Sequence, residues 1–273
     1  MISLWMVNLL IPGEPKELSL KTPLGDWSFC RYARYAESRK AIREGKCANT
    51  YALEYPDASK MAAIEEVTPI TLGASFLTAL SATVLSSTMG SEVSFLQPSK
   101  HWPRDRSMGE GSQSTNGADE FKSILEAIVA NWPTKGQSEK ALLLIHHWLD
   151  ALACWSLEDL YLSATTLLQI ISATESDRQG KNLSFLSGVS GAANRMRIRV
   201  LGNDFKDMRN ELIHEGRLIG TSFLGPDQIA CARVVADVMN WLDEYIYAAL
   251  GLGTPKRVRF SEHDFVTLNA YSI

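Results

Sequence analysis

The stretch SEKALLLIHHWLDALACWSLEDLYLSATTLLQIISA, residues 138–173, decides the fold of this chain. Its apolar residues recur at intervals of three and four, which predicts amphipathic helices and not strands. Near its middle, Ser156 is followed by Glu158 and Asp159, a pattern typical of a helix start. The stretch therefore predicts two consecutive helices at the centre of a helical bundle.

The segments on both sides of this stretch extend the helical prediction. ADEFKSILEAIVANW, LSFLSGVSGAANRMRIRV and PDQIACARVVADVMNWLDEYIYAAL have helical spacing, although the glycines of the second weaken its prediction. DFKDMRNELIHEG begins at an acidic residue and ends at Gly216, as helices often do. We predict an all-α domain over residues 119–251, followed by a tail over 252–273.

The N-terminal part of the sequence predicts mainly strands and not helices. LWMVNLL, WSFCRY and TYALEY are rich in branched and aromatic residues and lie between turn signals, which predicts strands. YARYAESRKAIREGK predicts a short helix. The run without charges from Val67 to Ser91 predicts a buried helix near residues 73–88, because its many Ser and Thr argue against a membrane span, and EVSFLQ predicts a further strand.

Together these predictions give an α+β chain. Residues 1–97 form a β-rich domain with a sensor or regulatory role, and residues 98–118, which are polar and rich in Gly, form a linker or mobile loop. The bundle over 119–251 follows.

Composition limits the functions that are open to this chain. Its 273 residues carry a formal net charge of -4, so any polyanion must be held by a local patch. The four cysteines form no C-x-x-C pair, and no phosphate-loop motif is present. We expect no metal and no cofactor. Without a signal peptide or a spanning segment, we expect a cytoplasmic protein with no membrane partner.

The segment FKDMRNELIHEGRL, residues 205–218, carries the functional signal. At about 100° per residue, Phe205, Met208 and Leu212 share a narrow buried sector. The opposite side carries an amide, an imidazole and two cations, with an apolar residue among them: Lys206, Arg209, Asn210, Ile213 and His214.

These side chains suit phosphodiester cleavage. A histidine can transfer a proton near neutral pH, and a guanidinium offers a planar fork to phosphate oxygens. In RNA the 2′-hydroxyl is an internal nucleophile, so no metal is required. Nearby cations could hold the RNA backbone, or they could form an ordinary solvated charge run: Lys206, Arg217, Arg195, Arg197 and Arg199.

MRNELIHEGRL resembles the R-x4–6-H signature of HEPN domains, and the helical segments from EFKSILEAIVANW onward are similar to the ApeA-like branch of that superfamily. The resemblance implies a metal-independent endoribonuclease with Arg209 and His214 as the catalytic pair and Asn210 as a supporting polar residue. It also implies a homodimer with a composite active site and a role as a toxin or anti-phage abortive-infection effector, with a phage-derived trigger.

One position departs from that branch. ApeA-like sequences commonly have a glutamate in the helix that matches TTLLQII, where this chain has Gln169. A non-catalytic HEPN-like module for dimerisation or ligand sensing is therefore the alternative. A further alternative is a module that partners a nucleotidyltransferase.

Overall fold

The computed structural model describes residues 1–57, 61–88, 113–154, 156–216 and 228–266. It shows an α+β protein in which a five-stranded antiparallel sheet precedes a mostly helical part, so the predicted fold class is confirmed. The chain forms two compact units. The first comprises residues 1–137 with 250–252, and the second comprises 138–249 with 253–273.

The sheet of the first unit has the strand order β2-β3-β4-β1-β5. Its strands are β1 Ile2–Val7, β2 Glu17–Thr22, β3 Gly25–Arg31, β4 Asn49–Tyr55 and β5 Thr83–Ser87. The strands predicted from LWMVNLL, WSFCRY and TYALEY are β1, β3 and β4. β1 and β4 are buried along almost their whole length, because they lie in the interior of the sheet.

The first unit also contains α1 Tyr35–Arg43, a 3-10 helix Met61–Glu66 and α2 Val67–Thr78. α1 confirms the predicted short helix. The uncharged run is helical only as far as Thr78, because Ala79 adopts a left-handed conformation with φ 57° and ends the helix. The second half of the predicted helix is instead a loop and β5, and the strand predicted over 92–97 lies outside the described residues.

The predicted domain boundary differs from the one in the structure because of the helix α3. This helix spans Ala118–Asn131 and is followed by a π-helical turn, Trp132–Gly136. A Cβ on Gly73 of α2 would lie 2.7 Å from Leu125 Cδ1, and the rings of Phe29 and Phe121 are 6.4 Å apart. α3 thus packs within the first unit, and the division falls after Gln137 and not at 98–118. Periodicity revealed the apolar face of α3, but a sheet can bury such a face as well as a bundle can.

The second unit is the predicted helical bundle without α3. It consists of α4 Ala141–Leu152, α5 Leu157–Gln179, α6 Phe185–Met196, α7 Asp204–Glu215, α8 Gln228–Ala249 and the short α9 His263–Val266. The predicted start of α5 is confirmed, since the Ser156 hydroxyl caps it by accepting a hydrogen bond from Asp159 N at 3.1 Å. α6 packs closely on α5 at Gly188. The helices leave no room for a side chain there, since a Cβ on Gly188 would lie 2.1 Å from Ser172 Oγ.

The region predicted as a tail contains packed residues. Arg259 is buried, with Nη1 3.2 Å from Asp243 Oδ1 and its guanidinium 4.8 Å from the centre of the Trp148 ring. Phe260 and Phe265 are buried as well. Residue 252 belongs to the first unit, and the described part of 253–273 is an integral part of the second unit. Among the described residues, no helix is long and apolar enough to cross a membrane.

Candidate functional site

α7 carries the predicted catalytic residues, and its sequence explains where it lies. Phe205, Met208 and Leu212 are buried, as predicted, and they hold one side of α7 against the bundle. Asp204 and Asp207 lie in the first turn, where their negative charges interact favourably with the positive end of the helix dipole. Gly216 ends the helix with φ 66°, which confirms the predicted stop.

The start of α7 is fixed to α5. The hydroxyl of the buried Tyr161 donates a hydrogen bond to the carbonyl of Phe205. Burial raises the pKa of Tyr161 far above its usual value, although the nearby positive charge of Arg209 opposes this effect. Tyr161 therefore stays protonated at every physiological pH and remains a donor.

Arg209 was predicted on the side opposite the buried stripe, but it is half-buried at the edge of that stripe, because four residues at about 100° each place it only about 40° from Phe205. Its guanidinium carbon is 4.8 Å from the centre of the Phe185 ring, and Phe185 also contacts Phe205, with ring centres 5.9 Å apart. An arginine over an aromatic ring is held by attraction between the cation and the ring face. Phe185, which the sequence analysis did not single out, thus orients the guanidinium.

One donor of that guanidinium lacks a partner. Arg209 Nε is buried and has no hydrogen-bond partner within the described ranges. A buried donor without an acceptor costs about 1–3 kcal/mol. Because this atom is shielded from solvent, an anionic acceptor from outside the protomer would have to approach another part of the half-buried guanidinium or displace what covers Nε.

The other two motif residues are more accessible. Asn210 is half-buried, His214 is exposed, and Ile213 between them is 48% exposed. Asn210 and His214 are separated by one helical turn, so their side chains are neighbours. Five residues at about 100° each place Arg209 and His214 about 140° apart around the axis. The motif therefore forms a band with the arginine at one edge and the imidazole at the other.

The five predicted RNA-binding cations differ in the partners that they have. Lys206 and Arg197 are exposed, and no ion pair between described residues includes either of them. Arg199 Nη1 lies 2.6 Å from Asp237 Oδ1, and Arg195 is bonded to two buried carboxylates. Arg217 lies outside the described residues.

Those two carboxylates form a buried polar cluster that the sequence analysis missed. Glu139 accepts hydrogen bonds from Arg195, Arg178 and the Tyr245 hydroxyl, at 3.0, 2.6 and 2.9 Å. Glu175 Oε2 lies 2.7 Å from Arg195 Nε. Burial alone would raise the pKa of Glu175, but hydrogen bonds from Gln179 and Arg195 outweigh it and lower the pKa below its usual value. The sequence signal for this cluster was Glu175, a charged residue on the apolar stripe of α5.

Gln169, the departure from the ApeA-like pattern, is exposed on α5. A buried carboxylate does occur further along the same helix, at Glu175, but it binds Arg195 and not Arg209. Among the described residues, no group of three or more His, Cys, Asp or Glu side chains is arranged to hold a metal ion. Comparison with protein-family models, with curated proteins and with solved structures gives no match to this chain.

Proposed function

We propose that this protein is a metal-independent endoribonuclease of the HEPN type, with Arg209, Asn210 and His214 as its catalytic residues. One observation carries the proposal. The Arg209 guanidinium is stacked on Phe185 with a buried donor left without an acceptor, on the same helix that exposes an imidazole. A stacked and partly accessible guanidinium on the same helix as an exposed imidazole is suited to bind a phosphate group.

The chemistry follows from these groups. The ribose 2′-oxygen attacks the adjacent phosphorus, the bond to the 5′-oxygen breaks, and a 2′,3′-cyclic phosphate and a 5′-hydroxyl form. A His214 imidazole accepts the 2′-hydroxyl proton as base or supplies the leaving oxygen with its proton as acid. Arg209 stabilises the charge that builds on the phosphoryl oxygens, and Asn210 aligns the reacting groups.

The positions of the two groups favour a composite site in a homodimer. Arg209 is held at one edge of the band by Phe185, whereas His214 is at the other edge. Two copies of α7 facing each other would bring the arginine of one close to the histidine of the other. The exposed Ile213 lies between these groups and would be covered at such a twofold contact.

In this proposal Lys206 and Arg197 contact the RNA backbone, together with Arg217, because neither Lys206 nor Arg197 is used in an ion pair among the described residues. Arg195 and Arg199 contribute positive potential while they keep their carboxylate partners. The biological role is that of a cytoplasmic toxin or anti-phage abortive-infection effector. The N-terminal unit would respond to a phage-derived trigger.

A cleavage assay in EDTA tests the proposal. Wild type, Arg209→Ala, Arg209→Lys and His214→Ala are each incubated with tRNA and with mRNA, and the product ends are mapped. We expect wild type to leave 2′,3′-cyclic phosphates and each variant to lose about 10²-fold or more in rate. Arg209→Lys should fail too, because an ammonium cannot replace the planar fork. His263→Ala, which removes an exposed histidine on α9, is the matched control.

The alternative is a non-catalytic HEPN-like module for dimerisation or ligand sensing. It is favoured by Gln169 at the position of the family's glutamate and by the ion pairs that occupy Arg195 and Arg199. If all variants and wild type are equally inactive while the protein is a folded dimer, this alternative replaces the nuclease.

A further inference from the structure

The N-terminal unit has a cleft of about 630 Å³ between the turn that precedes β2, the end of β3 and the helix α1. Its lining contains five cations and one carboxylate, a formal charge of +4 in a chain whose net charge is -4. These charged residues are Lys16, Arg31, Arg39, Lys40, Arg43 and Glu14.

Two of the cations face each other across a strand pair. In the β2–β3 register Glu17 is opposite Cys30, and Arg31 N donates a hydrogen bond to Lys16 O at 2.9 Å. Lys16 and Arg31 are therefore directly opposite at the end of the ladder. Like charges in that relation destabilise a strand pair, so folding alone gives no reason to place them there.

α1 adds three more cations to the same cleft. Arg39 and Arg43 are one helical turn apart, and like charges at that spacing are unfavourable in a helix. The helix dipole favours the cations of the last turn. It gives no reason for their convergence with Lys16 and Arg31 of the neighbouring strands.

A strained turn holds two of the guanidinium groups in place. Glu14 has φ 47°, an uncommon value for a residue other than glycine, and it follows Gly13 at φ 76°. The Glu14 carbonyl accepts a hydrogen bond from Arg31 Nη1 at 2.7 Å, and its carboxylate lies 2.6 Å from Arg39 Nη1. Backbone strain of this kind is concentrated at functional sites. The turn orients both forks before any ligand arrives.

From these features we propose that the cleft binds a small molecule carrying two or more phosphate groups, either a nucleoside polyphosphate or a free polyphosphate. Planar guanidinium forks from two elements suit adjacent phosphates. The volume is typical of small-molecule sites. The half-buried Tyr32, held edge-on by Trp5 with ring centres 6.1 Å apart, is placed to contact a base.

Isothermal titration of the full chain with ATP, tripolyphosphate and orthophosphate tests this site. The informative variant is Lys16→Ala/Arg43→Ala, and the matched control is Lys21→Ala/Lys46→Ala, which removes the same charge from exposed positions outside the cleft. We expect tripolyphosphate or ATP to bind at least about tenfold more tightly than orthophosphate. The cleft variant should weaken this binding by at least about 30-fold, and the control by less than about threefold.

The relative affinities then identify the ligand class. Tighter binding of ATP than of tripolyphosphate supports a nucleotide, and equal binding supports recognition through phosphates alone. The proposal is overturned if no polyphosphate binds at millimolar concentration, or if the control weakens binding as much as the cleft variant does. It is also overturned if a 2′-O-methyl RNA 12-mer occupies the cleft and excludes tripolyphosphate. None of these outcomes depends on cleavage by α7.

Discussion

Replacing Glu139 by glutamine changes the size of the side chain very little. It should nevertheless lower the free energy of unfolding of the second unit substantially. Glu139 is 5% exposed, and its carboxylate receives hydrogen bonds from Arg178, Arg195 and Tyr245. The amide keeps one acceptor but lacks the negative charge that two guanidinium groups require. Removing one member of a buried ion-paired cluster costs about 3–5 kcal/mol.

We place the expected loss near the lower end, at about 3 kcal/mol, because Arg195 retains Glu175 and the guanidinium of Arg178 is partly exposed. The assay is urea unfolding followed by far-ultraviolet circular dichroism. With a slope of about 2 kcal/mol per molar urea, the midpoint should fall by about 1.5 M.

The matched control is Asp177→Asn, which removes the exposed pair between Asp177 and Lys140, the residue next to Glu139. An exposed pair contributes about 0–1 kcal/mol, so this midpoint should move by less than about 0.5 M. If Glu139→Gln and Asp177→Asn shift the midpoint equally, the reasoning that the cluster stabilises the bundle is refuted.

Three more predictions concern α5, α6 and α7. Because the pKa of Glu175 is lowered in the folded protein, its stabilising effect is present above the unfolded pKa of about 4.3 and is lost as pH falls below it. The difference in unfolding free energy between wild type and Glu175→Gln should therefore shrink below about pH 4. Gly188→Ala should cost about 1–3 kcal/mol in thermal unfolding, since the new Cβ would lie 2.9 Å from Ser172 Cα. Phe185→Leu should slow RNA cleavage about 3- to 30-fold, because the ring that holds the Arg209 guanidinium is lost.

Each of these predictions has a control. Gly202→Ala introduces a Cβ into open space and should leave stability unchanged; an equal loss in both glycine variants would show that close packing is not the cause. Glu37→Gln, at an exposed position of α1, should show no comparable change below pH 4. Phe185→Leu must unfold at nearly the wild-type temperature, and an unchanged cleavage rate would mean that the ring does not orient Arg209.

Local signals in the sequence were sufficient to predict the helices α4 to α8 of the bundle, but not α9, which lies in the predicted tail. Ser156 predicted the start of α5 and Gly216 the end of α7, because capping depends on residues within one turn. The helical spacing of apolar residues correctly predicted the buried stripe of α7. The end of α2 was not predicted, since Ala79 adopts its left-handed conformation without a sequence signal.

Features that depend on distant residues could not be predicted in this way. Glu139 meets Arg195 and Tyr245 only after three helices have packed, so no spacing reveals the cluster. For the same reason the sequence could not predict that α3 packs against α2 and the sheet. The cations of the cleft are spread from Lys16 to Arg43, and only the β2–β3 pairing and α1 bring them together.

The most direct test of the central claim mixes two inactive proteins. Arg209→Ala and His214→Ala are unfolded together, refolded as a mixture and assayed for RNA cleavage in EDTA. If Arg209 of one protomer acts with His214 of its partner, half of the dimers are mixed and each has one intact site. The mixture should then recover about a quarter of wild-type activity, although each variant alone is inactive. A mixture that forms dimers and stays as inactive as either variant alone would contradict the account.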